Sequence, residues 1–104
     1  MKIWVDDVRK APEGYLWCRS VNEVKEVILV FINRGLNIAE SIEVIDLDHD
    51  AGEYAIYGGD YIKILDWLEE MNLGDSITFK IHSQNTVGRQ NMKRVIEKNN
   101  WILK

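Results

Sequence analysis

Residues 43–50 read Glu-Val-Ile-Asp-Leu-Asp-His-Asp. A short run rich in branched aliphatic side chains that ends in Asp48-His49-Asp50 predicts a buried strand, about Glu43 to Leu47, feeding a polar loop. The same pattern recurs on either side. Lys2 to Asp6 carries Ile3-Trp4-Val5 into Asp6-Asp7, and Ile77 to Ile81 runs into His82-Ser83. Tyr15 to Cys18 and Trp101 to Leu103 read as two further short strands, the last at a sheet edge. Between these runs the period changes to that of helices. Ser20 opens a helix through about Gly35, with Ser20-x-x-Glu23 as a capping box and Val21, Val24, Val27, Ile28 and Phe31 on one face. Tyr61, Ile64, Leu65, Leu68 and Met71 mark a second helix that Asn72 to Asp75 breaks. Gly88, Met92, Val95 and Ile96 mark a third, from about Thr86 to Asn99. Strands alternating with helices predict an α/β domain of three-layer, flavodoxin-like or receiver-like form. Its sheet is mostly parallel, with four to five strands and flanking helices. The connection between the first two strands, with Arg9, Pro12 and Gly14, is short for a parallel crossover.

A chain of 104 residues is one domain, 1–104, with no room for a second core. Its net charge of −4 and pI near 5.1 argue against a broad basic surface for duplex DNA, while leaving room for a local phosphate site. Cys18 is the only cysteine, so neither an internal disulfide nor a cysteine-rich zinc site can form, and a reducing compartment fits. The N-terminal apolar run is too short for a secretory signal, and no segment approaches the roughly 20 apolar residues of a membrane helix. A cytoplasmic protein of a bacterial cell, or of one infected by a phage, is expected.

In open parallel sheets ligands bind just beyond the carboxyl ends of the strands. Asp6-Asp7, Asp48-His49-Asp50 and His82-Ser83 all fall there, and both histidines of the chain are among them. Each feature alone reads as an ordinary turn; three together point to a shared site. Carboxylates packed at one sheet end repel by roughly 4 kcal/mol per pair at 4 Å and an effective dielectric near 20. A hard cation, Mg²⁺ or Mn²⁺, held by Asp6, Asp7 and Asp48 offsets this, and so would shared protons or Arg9 from the neighbouring loop. Gly58-Gly59 permits close approach of the backbone to a ligand, and the helices beginning after residues 59 and 85 offer N–H groups to an anion. Arg9, Gly59, Ser83, Asn85 and Asn91 are therefore the candidate phosphate contacts, with Asn85 or Thr86 equally readable as a helix cap.

Four segments in order, Trp-Val-Asp-Asp-Val-Arg (4–9), Leu-Asp-His-Asp (47–50), Gly-Gly-Asp-Tyr (58–61) and His-Ser-Gln-Asn-Thr-Val-Gly-Arg-Gln-Asn-Met (82–92), resemble the cyclic-phosphate-processing receiver-like family. The resemblance covers almost the whole chain. It implies a receiver-derived fold acting on a cyclic phosphate of a nucleotide or RNA end, with Asp6 and Asp7, then Asp48, His49 and Asp50, then His82, Ser83 and Asn85 as the motif residues. Ala51 and Glu53 follow Asp50 where a more hydrophobic and then an acidic step would be expected. An ordinary phosphorelay receiver is also similar, with Asp48 as phosphoacceptor. Such a receiver wants a lysine at the start of its last strand, where this chain has Asn99-Asn100-Trp101, and it gives the two histidines no task.

Opening a cyclic phosphate takes a base, an acid and groups that stabilise the phosphoryl oxygens. The resemblance thus implies a phosphoesterase in which His49 and His82 share the acid and base roles, Asp48 or Asp50 orients a ring, and Arg9, Ser83 and Asn85 grip phosphate. Two other readings stand beside it: a nucleotide- or phosphate-binding module without turnover, and a degenerate phosphoacceptor domain acting through a protein partner.

Overall fold

The computed structural model describes residues 1–104. Five strands form one sheet: β1 (Lys2–Val5), β2 (Tyr15–Cys18), β3 (Val44–Leu47), β4 (Thr78–Ile81) and β5 (Ile102–Leu103). Their order is β2-β1-β3-β4-β5, and every pair is parallel. The helices are α1 (Val21–Asn33), the single turn α2 (Ile38–Ser41), α3 (Ile62–Met71) and α4 (Thr86–Lys98). The segment Gly52–Tyr57, expected as a loop, winds into a 3₁₀ helix, and α2 was not foreseen in the sequence.

Local chemistry explains the boundaries. Ser20 Oγ accepts the Glu23 N–H at 3.1 Å, while Glu23 turns back onto the Arg19 N–H rather than that of Ser20, so the capping box closes one residue early. Asn72 ends α3 in the left-handed region at φ 55°, where asparagine is among the few tolerated side chains. Asn85 caps α4 through its side-chain oxygen on the Gly88 N–H at 2.9 Å.

The steps β2 to β3, β3 to β4 and β4 to β5 all run in one direction across the sheet. Right-handed crossovers therefore put α1, α3 and α4 on the same face. The apolar cluster agrees: Ile3, Val5, Ile45, Leu47 and Phe79 join Val24 and Ile28 of α1, Leu65 and Leu68 of α3, and Met92 and Ile96 of α4. Val44, buried but pointing the other way, lies outside that cluster. The step β1 to β2 runs in the opposite direction and would carry a helix on the second face. Residues 6–14 make it without one: about 13 Å of strand must be recrossed, and the segment reaches about 30 Å when extended. The expected third layer is thus no helical layer but this connection, held down by Trp4 Nε1 donating to the Arg9 carbonyl at 2.9 Å and Trp17 Nε1 donating to the Asp6 carbonyl at 2.8 Å.

Candidate functional site at the carboxyl ends of the strands

The last paired row of the sheet is Val5, Leu47 and Ile81, and the ladder continues one residue further through Asp48 N–H to Val5 O and His82 N–H to Leu47 O, both at 2.9 Å. Asp6, Asp48 and His82 consequently stand in one row, and a ligand atom from each lies within 4.8 Å of the others. Along a strand, side chains alternate between faces. Asp6, Asp46 and His82 share the face with Trp4, whereas His49 lies against Gly88 of α4 and Asp7 against Gly52.

On the first side, the His82 ring lies flat across the sheet. It stacks on Trp4 with centroids 3.7 Å apart and planes 3° from parallel. Its Nδ1 meets Asp46 Oδ1 at 2.8 Å and its Nε2 meets Asp6 Oδ2 at 2.9 Å. An ionised carboxylate only accepts, so a ring serving two of them must donate from both nitrogens and is the imidazolium. Burial alone pulls His82 toward the neutral form, but its bonds to Asp46 and Asp6 outweigh that and raise its pKa. Asp6 is fully buried. Burial would raise its pKa; the Arg9 and Val8 N–H groups, donating to Oδ1 at 2.7 and 2.9 Å, together with His82 reverse this and hold it below the usual carboxylate value. The Arg9 side chain adds a looser contact, Nε to Asp6 Oδ2 at 3.6 Å, and is exposed.

On the helix side, His49 packs against the first turn of α4, where a methyl group at Gly88 would overlap its ring. His49 Nδ1 meets Asp50 Oδ1 at 2.9 Å. Both Asp50 oxygens also accept from Asn85 Nδ2, at 3.3 and 3.2 Å. The His49 bond, and then the Asn85 bond, outweigh burial and lower the Asp50 pKa. Because Asp50 accepts, neutral His49 carries its proton on Nδ1, and its Nε2 lone pair has no hydrogen-bond partner. Asp7 lies against Gly52, and its pKa is raised by burial first and then by the charges of Asp6 and Asp48. No cationic side chain pairs with Asp7 or Asp48.

The remaining candidates divide. Ser83 is buried and accepts the Asn85 N–H at 3.1 Å, and Arg89 reaches over to the Ser83 carbonyl at 3.2 Å. Asn85 is spent on the α4 cap and on Asp50, which makes it a positioning residue. Gly59 has φ 96° and donates its N–H to Ala55 O, while the Tyr61 N–H at the start of α3 goes to the His49 carbonyl at 3.0 Å. That helix start holds the protein's own backbone rather than facing open space. Asn91 sits on α4, where its amide oxygen accepts from Arg94 at 3.2 Å.

A cation held by Asp6, Asp7 and Asp48 fits these residues in part. Asp6 already accepts from two N–H groups and from charged His82, which with Arg9 offsets its charge. Asp7 and Asp48 are the carboxylates without a cationic partner, although Asp48 accepts the His49 N–H at 2.8 Å, and their oxygens are the hard donors that Mg²⁺ or Mn²⁺ takes. Sequence reading missed Asp46, Trp4 and Arg89. An acid at the middle of the apolar run Val44-Ile45-Asp46-Leu47 was the available signal, since a buried carboxylate requires a partner. Nothing in the sequence announced the Trp4 stack.

An all-parallel α/β sheet with acids in a row beyond its carboxyl edge defines a receiver-like domain, here with a histidine beside two of those acids. The family model of the cyclic-phosphate processing receiver domain matches residues 1–98, and the chain belongs to that family. No curated protein and no solved structure gave a match to the chain.

Proposed function

We propose that the protein is a phosphoesterase that hydrolyses a cyclic phosphate of a nucleotide or RNA end. The observation that carries this reading is the Asp50–His49 pair, 2.9 Å apart, in which the carboxylate fixes the tautomer that leaves the Nε2 lone pair without a partner. Such a nitrogen takes the proton of an attacking water. The water oxygen bonds to phosphorus, one of the two ring P–O bonds breaks, and the departing alkoxide is protonated from solvent to leave a phosphate monoester. The two histidines do not have equal roles in this reading. His82 has no lone pair to offer while both carboxylates hold it, and we assign it to fixing Asp6 and Asp46 and to supplying positive charge. Arg9 and Ser83 are the proposed phosphate contacts. Mg²⁺ or Mn²⁺ is the proposed cofactor, with Asp7 and Asp48 as its carboxylates; it would neutralise charge on the phosphoryl oxygens.

A ³¹P NMR screen of 2′,3′- and 3′,5′-cyclic nucleotides and of RNA ending in a cyclic phosphate, with and without Mg²⁺ or Mn²⁺, tests the reading. At least one cyclic resonance should convert to a monoester resonance. Binding without conversion of any of them would instead make the domain a binding module.

A further inference from the structure

The charges on α4 run against the sign of the molecule. The chain is net −4, yet Arg89, Lys93, Arg94 and Lys98 face a single acid on this helix, Glu97. Two clefts meet along its flank. One, of about 380 Å³, opens at the strand-end crest beside His82, Ser83 and Arg89. The other, of about 210 Å³, lies between α4 and the β4–β5 edge and is lined by Lys93, Lys104 and Ile81 among others. Arg89 and Gln90 line both, so the two form one groove leading away from the candidate site. No Asp or Glu side chain lines either part. Lys93 is 3.7 Å from Glu97, but both are largely exposed, so that pair leaves the ammonium available to a ligand. Arg89 and Lys93 are four residues apart, about 6 Å along the helix axis. That rise suits successive phosphates of an extended strand.

We propose that this groove seats the backbone of a single-stranded RNA whose terminal cyclic phosphate lies at the strand-end site, with upstream phosphates on Arg89, Lys93 and Lys104. The substrate is then an RNA end rather than a free nucleotide, an inference that rests on the phosphoesterase reading above. RNA is favoured over DNA because a 2′,3′-cyclic phosphate needs the ribose 2′-hydroxyl. A single strand is favoured because the cations line one groove in a molecule of net charge −4 and make no broad field.

The test compares a 2′,3′-cyclic mononucleotide with a short oligoribonucleotide ending in the same group. The oligonucleotide should show a kcat/KM about 10-fold or more above that of the mononucleotide. In the Lys93→Ala/Lys104→Ala double variant this advantage should vanish through KM, with mononucleotide turnover unchanged. Three phosphate contacts also predict a slope of log affinity against log salt of about −2, falling to about −0.7 in the double variant. Equal kcat/KM for both lengths, or an equal loss on both in the variant, overturns the groove while leaving the phosphoesterase reading intact. Anisotropy with a labelled oligoribonucleotide carrying an uncleavable 3′-phosphate separates the reverse case. Binding that depends on Lys93 and Lys104, with no turnover of any cyclic phosphate, upholds the groove and removes the phosphoesterase. Tighter binding of hexaglutamate than of the RNA overturns the proposal in favour of an acidic protein partner.

Discussion

At the scale of single residues, the most consequential contact is His82 between Asp46 and Asp6. Replacing Asp46 with Asn removes a charged acceptor from a nearly enclosed imidazolium and should lower unfolding stability by about 2 kcal/mol in urea titrations. The titrations set the pH window. His82 is raised above its ordinary 6.5, so its contribution is complete below that value and lost as pH rises through the folded one. Asp6 is lowered from 3.8, so its contribution is complete above 3.8 and lost as pH falls through its folded value. Thermal stability should therefore fall on both the acid and the alkaline side of the range between 3.8 and 6.5, and Asp46→Asn should weaken the alkaline fall. Asp7 has the opposite sign to Asp6. Its pKa is raised, so its ionised form opposes folding at neutral pH, and Asp7→Asn should raise Tm by a few degrees in metal-free buffer. Added Mg²⁺ should raise the wild-type Tm and leave the variant's nearly unmoved. A wild type indifferent to Mg²⁺ and Mn²⁺ would remove the cofactor.

The elements show where a local rule gives way to a tertiary one. Alanine in place of glycine inside a helix ordinarily gains roughly 0.5–1 kcal/mol. At Gly88 the added methyl would meet the His49 ring, so Gly88→Ala should destabilise by about 1–3 kcal/mol and displace the Asp50–His49 pair. Chemical denaturation, with the His49 ring resonances followed by NMR, checks both parts. The start of α4 shows what the sequence could and could not disclose. Asn85 was readable as a cap from its place before Thr86, but its second role, two bonds from the same amide to Asp50, needed the approach of the β3 and β4 ends. The stops of α1 and α3 were legible because Gly35 and Asn72 accept positive φ at no great cost. The 3₁₀ helix Gly52–Tyr57 carries no hydrophobic period of its own, and the pattern that revealed the long helices passed over it.

For the whole molecule, hydrophobic runs and their spacing disclosed an α/β domain with its polar residues gathered at one end of a parallel sheet. The one-sided placement of α1, α3 and α4 was not visible, because periodicity reports that a helix has a buried face and not which side of the sheet it covers. Strand order decides that, and the β1–β2 connection, which read as uncomfortably short, was its trace. The candidate row Asp6, Asp48 and His82 followed from strand ends alone, whereas the division of the two histidines between opposite faces required knowing the register. On that division rests our proposal that His49 rather than His82 is the base, and it is best tested by separating rate from affinity. Turnover of a cyclic phosphate by His49→Ala should fall about 100-fold or more in kcat, while affinity for the substrate, measured by calorimetry, should change little. Hydrolysis by the wild type that survives His49→Ala undiminished would contradict the account.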